Sequence, residues 1–241
     1  MDSEKLEKFI NKYNLGGLCE KVIFKSDGMK LQVSSMSENR NVVCDITATD
    51  INFPTGKFGV FDTKKLKSLI GVLRDPITLT IINTAGRATG FTVSDPSTKV
   101  TFVLCDTINI PAVPTVDPPV KVDLTISINS DFIDRFIKST TALSEVDIFA
   151  IVSDGKEKLA EVIVGYSSLN VNKISITVPT EEALVLDAIK FYSPVLRQIF
   201  SVNKTATSGK MNVYSGGMAV ITFEEDGYLI TYYIFKAKDA K

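Results

Sequence analysis

The sequence predicts an α+β protein of two similar domains, each an antiparallel β-sheet with two helices on one face. Three observations carry that expectation. A local pattern recurs at an offset of 127 residues, a helical segment recurs at an offset of 130, and each half contains about seven β-rich runs for two helical ones. A parallel α/β sheet would need a helix after almost every strand, so the strands must run antiparallel and the two helices must share one side.

The first repeat starts from Ser26-Asp27-Gly28 in VIFKSDGMKL, which returns as Ser153-Asp154-Gly155 in FAIVSDGKEKL. Asp-Gly is a common hairpin turn, and the triplet alone would mean little. The same offset of 127, however, lays Ser3 over Ser130, Glu4 over Asp131, Leu6 over Ile133, Glu7 over Asp134, Lys8 over Arg135, and Phe9-Ile10 over Phe136-Ile137. Both segments have a Ser/Asp/Asn start, acidic residues in the first turn and apolar residues at helical spacing. The second repeat lays FDTKKLKSLI, from Phe61, over FYSPVLRQIF, from Phe191, at an offset of 130. It pairs Leu66 with Leu196, Lys67 with Arg197, Leu69 with Ile199 and Ile70 with Phe200. Three residues of added loop account for the change of offset.

Between these helices lie short β-rich runs broken by turn residues: 19–26, 29–36, 41–49 and 57–61, then 146–153, 157–166, 172–178 and 184–190. Three more follow each second helix, at 76–83, 88–94 and 99–105, then at 211–215, 218–224 and 228–236. Residues 1–105 form the first expected domain and 122–241 the second. The intervening 106–121 is the linker, because DTINIPAVPTVDPPVKVD (Asp106–Asp123) holds four of the nine prolines. Residues 122–128 read as an extra strand opening the second domain. Its counterpart would precede Met1, so the first domain is expected to lack it.

Composition excludes several classes. At 44% hydrophobic and 23% charged, with no apolar run near the ~20 residues of a membrane span, the chain reads as globular. The N-terminus lacks a basic start followed by an apolar block, which points to the cytosol. Cys19, Cys44 and Cys105 are widely spaced, which suggests buried free thiols and neither a disulfide framework nor a zinc site. No histidine occurs, which removes Ser-His and Cys-His pairs and imidazole acid-base chemistry. GxxxxGK[ST] and GxGxxG are absent too. An enzyme would depend on carboxylates or lysines, and Glu181-Glu182 and Glu224-Glu225-Asp226 sit beside turn signals, as solvated loop charge does. We expect a non-enzyme with no cofactor and no metal.

The helices carry the informative charge. Leu6, Phe9, Ile10 and Tyr13 form one apolar stripe, with Lys5, Lys8 and Lys12 together on one side and Glu4 and Glu7 on the other. Leu66, Leu69, Ile70 and Leu73 form the next; Lys64, Ser68 and Gly71 lie away from it, flanked by Lys65 and Lys67. Segments 4–13, 62–74, 130–143 and 190–204 carry +1, +3, 0 and +3, or +7 in all, which leaves −8 for the rest of a chain of net charge −1. A basic face on an acidic body is the footprint of a surface that meets a polyanion, although lysine also favours any exposed helical position.

FGVFDTKKLKSLIGVLRDPITLTI (Phe58–Ile81), FTVSDPSTKVTFVLCD (Phe91–Asp106) and SDFIDRFIKSTTALSEVDIFAIVSDGKEKL in the second half resemble the DNA sliding clamps. They are most similar to the processivity clamp of tailed-bacteriophage replication systems. The likeness covers nearly all of the chain and rests on pattern and order, because the family has no short invariant motif. Two features are departures: the missing first strand, which differs from the clamp domains of cellular organisms, and the neutral helix at 130–143 where a strongly basic inner face would be ideal.

The resemblance implies two DNA-clamp domains in a closed, ring-forming homotrimer, with helices lining the hole and sheets outside. Ring closure would join strand 99–105 of one subunit to 172–178 of the next. It implies sequence-independent binding of double-stranded DNA in viral DNA replication, with Lys5, Lys8, Lys12, Lys64, Lys65, Lys67, Arg74, Arg135, Lys138, Arg197 and Lys204 as the lining. Phosphate contacts of this kind can exchange along a duplex without reading it. Implied partners are a replicative DNA polymerase and an ATP-driven clamp loader, in the cytoplasm of a bacterial host. Partner peptides would enter a pocket beside the linker, walled by Ile108, Ile110, Val113 and Val116; those residues could equally staple the linker to the sheets. Two alternatives remain open: a monomeric processivity subunit of the same fold, and a virion structural protein that does not bind DNA.

Overall fold

The computed structural model describes residues 3–49, 51–167 and 171–238. The chain forms two compact units. The first comprises Met1–Glu38, Cys44–Pro114 and Asp226–Ile230, and the second Asn39–Val43, Thr115–Glu225 and Thr231–Lys241.

Unit 1 opens with helix α1 (Ser3–Asn14), which buries Leu6, Phe9, Ile10 and Tyr13, the stripe expected from their spacing. A 3₁₀ turn, Leu15–Gly17, ends it with Gly16 at φ 69°, and the amide of Cys19 then donates to the carbonyl of Asn14. Cys19 is therefore part of the helix exit, and the first strand begins at Val22. Strands β1 (Val22–Ser26), β2 (Lys30–Met36), β3 (Val42–Thr49) and β4 (Gly56–Val60) lead to helix α2 (Thr63–Ile70). Then come β5 (Thr78–Thr84), β6 (Arg87–Ser94) and β7 (Lys99–Val103). The first four lie in the order β4-β1-β2-β3, and the last three form a separate antiparallel sheet, β5-β6-β7. Helix α1 packs beside α2. Edge-to-face rings of Phe9, Tyr13, Phe24, Phe53, Phe58 and Phe91 run through the core as one chain of contacts.

Unit 2 repeats the order. It has β8 (Leu124–Ile128), α3 (Ser130–Ala142), β9 (Ile148–Asp154), β10 (Leu159–Val164), β11 (Ile174–Pro179), β12 (Val185–Tyr192) and α4 (Ser193–Val202). Three final strands are β13 (Ser208–Tyr214), β14 (Met218–Glu225) and β15 (Tyr228–Phe235), of which the last has its first three residues in unit 1. Its sheets run β11-β10-β9-β12 and β15-β14-β13-β8. The extra strand expected at 122–128 is β8, paired antiparallel to β13. Asn129 caps α3 by accepting from the amide of Phe132 at 2.8 Å, and α3 packs beside α4 around Phe132, Phe136 and Phe200. The strands of each half thus divide into two sheets, a refinement of the single sheet expected per domain.

The repeated Ser-Asp-Gly is a turn in both units. Ser26 Oγ accepts from the amide of Gly28 at 3.1 Å, and Ser153 Oγ from that of Gly155 at 3.3 Å. Both glycines have positive φ, 103° and 70°, which an L side chain rarely adopts. The Asp27 carboxylate accepts the amides of Met29 and Lys30, and Asp154 that of Lys156; these bonds hold both carboxyls below their usual range. Just before 106–121, Cys105 donates its amide to the carbonyl of Gly59 of β4 at 3.0 Å. A Cβ on Gly59 would stand 2.5 Å from the Cys105 carbonyl oxygen, so only glycine allows that approach. The expected buried thiols are Cys19 and Cys44, whereas Cys105 is half-buried.

Candidate nucleic-acid interface

The cations nominated from the sequence divide by environment. On α1, spacings of three and four residues place Lys5, Lys8 and Lys12 on one face as expected, but Tyr228 lies against that face. Its hydroxyl donates to the Lys5 carbonyl at 3.1 Å, and the Nζ atoms of Lys8 and Lys12 stand 5.8 and 5.3 Å from its ring centroid. Lys12 is 0% exposed. This corrects the expectation for Lys12, whose ammonium is held over an aromatic face and is not presented outward. Lys5 and Lys8 are half-buried.

Helix α2 carries exposed positive charge. Lys64 and Lys65 are exposed and Lys67 is half-buried, while Leu66 and Ile70 face the core. The N-terminus of α2 is already occupied by carboxylates. Asp62 accepts from the amide of Lys65 at 2.7 Å, and Glu20 Oε2 from that of Lys64 at 2.9 Å. Anion binding at α2 therefore falls to its lysine side chains, because its free amides are taken. Arg74 lies beyond the helix end; it is exposed, and its amide donates to Asp95 at 2.8 Å. Asp95 also accepts the amides of Ser97 and Thr98, and this set of donors pulls its carboxyl down to about 2.

In unit 2 the exposed Arg135 pairs with Asp131 one turn earlier, Nε to Oδ2 at 2.9 Å, which keeps α3 locally neutral, and Lys138 is exposed. Helix α4 presents a half-buried Arg197. Lys204 lies outside α4, past Asn203, whose amide group donates to the Ile199 carbonyl at 2.8 Å and to the Tyr232 hydroxyl at 3.0 Å. It is exposed, but as a turn residue and not on the helix where 190–204 was expected.

The linker candidates divide as well. Ile108 is 84% exposed and Val113 and Val116 are half-buried, but Ile110 is 7% exposed and anchors the chain. For Ile110 the stapling alternative is the one realised. Tyr228 is the residue that sequence reasoning missed: nothing local to α1 signals an aromatic partner so far along the chain.

Such a surface can attract phosphates without distinguishing bases, since lysine and arginine on helix faces offer charge and no fixed base-reading geometry. Among the described residues no cluster of three or more Cys, Asp or Glu side chains converges as a metal site needs.

No protein-family model and no curated protein matches the chain. Solved structures do. Proliferating cellular nuclear antigen from Entamoeba histolytica superposes with a TM-score of 0.73 at 14% identity, over 98% of this chain and 96% of that one. The same antigen from A. fulgidus, bound to the C-terminal region of FEN-1, gives 0.74 at 13% identity over 100% and 98%. The chain therefore has the fold of these proteins over its whole length. The likeness is to that clamp fold; it does not single out a bacteriophage branch.

Proposed function

We propose that this chain is a DNA sliding clamp: a homotrimeric ring that encircles duplex DNA and holds a replicative polymerase to it. The observation that carries the reading is that β7 and β11 lie at sheet edges. Strands β7 and β11 are the terminal strands of their sheets, and the internal repeat makes them the counterparts of β15 and β3. At the end of β3 the Thr49 amide donates to the carbonyl of Gly227, which leads into β15, at 2.8 Å. The same pairing, made between β7 of one copy and β11 of the next, closes a ring of three two-domain chains with domains at 1–105 and 122–241 joined by 106–121. A contact that closes removes these two edges from those open to aggregation.

In the ring, Lys64, Lys65, Lys67, Arg74, Lys138, Arg197 and Lys204 face the duplex, with Lys5, Lys8 and Arg135 contributing less. The work is topological: tethering raises the polymerase's effective concentration at the primer end without a chemical step. The solved relative bound to a FEN-1 segment supports a second part of the reading, that partner peptides dock beside the linker at Ile108, Val113 and Val116. Loading calls for an ATP-driven partner, and the resemblance to tailed-phage clamps is what supports a bacterial cytoplasm as the site of action.

The test is retention on DNA after loading. On closed circles the protein should stay bound through gel filtration at high salt and be lost once the circle is cut. Equal retention on circular and linear DNA would refute encirclement.

A further inference from the structure

One difference between the two units leaves an open slot among the described residues. Strand β5 maps onto β13 at an offset of 130 along its whole length, Thr78 to Ser208 and Thr84 to Tyr214, the offset that also relates α2 to α4. In unit 2, β13 has a neighbour on each side, β14 and β8. Strand β8 sits with Ile126 opposite Met211 and Leu124 opposite Val213. On its other side it meets the turn after β11: Ile126 bridges to Thr180, and the Glu181 amide donates to the Thr125 carbonyl at 3.0 Å. Met211 and Val213 are wholly buried beneath it.

In unit 1 the corresponding strand is the edge of its sheet, with only β6 beside it among the described residues. Leu79 and Ile81, which occupy the places of Gly209 and Met211, are half-exposed. The segment corresponding to 181–185 is 51–55. Between the two lies a cavity of about 490 Å³, lined by Asn52, Phe53, Pro54 and Thr55 on one side and Ile77, Thr78 and Leu79 on the other. This is the position β8 fills in the second unit. Strand β5, TLTIINT, has no charge and no proline to discourage pairing.

We infer that this slot accepts an extended peptide segment of a partner protein, added antiparallel to β5. The recognised chemistry is that of β8, LTISI: aliphatic residues at every second position facing Leu79 and Ile81, with small hydroxyl residues between them. Main-chain hydrogen bonds along the open edge supply affinity, and the alternation sets the register, because a slip of one residue would turn the aliphatic set outward. The inference rests on the internal repeat and stands whether or not the chain encircles DNA.

The chain's own β8 segment provides the probe. A labelled synthetic peptide of residues 122–129 is titrated into the full-length protein, with hydrogen exchange followed by mass spectrometry. The expected result is saturable binding with new protection confined to 78–84. A peptide carrying Ile126→Asp should bind at least tenfold more weakly, as should the wild-type peptide to the Leu79→Lys protein, with its thermal transition checked separately. No saturable binding would overturn the proposal. So would loss of protection at 208–214, which would mean that the peptide displaces β8, or protection at 78–84 that rises with protein concentration alone, which would make a second copy the occupant.

Discussion

The amide of Thr63 donates to the carbonyl of Glu20 at 3.2 Å, and 130 residues later the amide of Ser193 donates to the carbonyl of Asp147 at 2.8 Å. Each bond ties the start of a unit's second helix to the segment that follows its first. Thr63 adds a side-chain bond to the same Glu20 carbonyl at 2.8 Å, and its hydroxyl meets that of Tyr13 at 3.2 Å inside the core. Burial pushes the Tyr13 phenol well above its ordinary range, so it is a neutral hydroxyl at any working pH.

Thr63→Val keeps the shape and removes both hydroxyl contacts. Leaving the buried Tyr13 hydroxyl and the Glu20 carbonyl short of partners should cost about 1–3 kcal/mol. Chemical denaturation measures it, and Tyr13→Phe made together with Thr63→Val should recover part of the loss.

Phe136 is wholly buried, with rings of Phe149 at 5.2 Å, Phe200 at 5.4 Å and Phe132 at 6.3 Å. Phe136→Ala should lower stability by about 3–5 kcal/mol, the range for deleting a large buried aromatic side chain. The denaturant midpoint should fall with the slope little changed.

Asp95 gathers the amides of Arg74, Ser97 and Thr98, and its carboxyl lies at about 2 in the folded protein, below its unfolded value. A depressed carboxyl contributes stability that is complete above the unfolded value, near 4, and lost as pH falls toward 2. Asp95→Asn should therefore lower the melting temperature at pH 7 and narrow its gap from the parent as the pH drops through that window.

The lysines separate by burial. Lys64→Glu with Lys67→Glu and Arg197→Glu should leave the melting temperature nearly unchanged and weaken DNA association, each lost phosphate contact flattening the salt dependence by about 0.9. Lys12→Glu should do the reverse, lowering the melting temperature because the side chain is enclosed beside Tyr228.

Much of this architecture was legible because it is written twice. Ser26 and Ser153, or Phe9 and Phe136, are weak signals singly, but a common offset turns them into a domain repeat and fixes the helices. Helical spacing also identified which lysines share a face. It could not reveal what lies opposite that face: Tyr228 encloses Lys12 from a distant part of the chain, and Ile110 turns inward through contacts that no local pattern encodes. The ends of elements were the other loss. Lys204 falls outside α4 because the buried Asn203, held by Ile199 and Tyr232, ends the helix first.

Encirclement is the central claim, and particle images of the purified protein at micromolar concentration test it most directly. The account requires rings of three chains, each of 26.4 kDa, with an open centre. Solid particles of single-chain size, under conditions where the protein still supports processive synthesis, would contradict it.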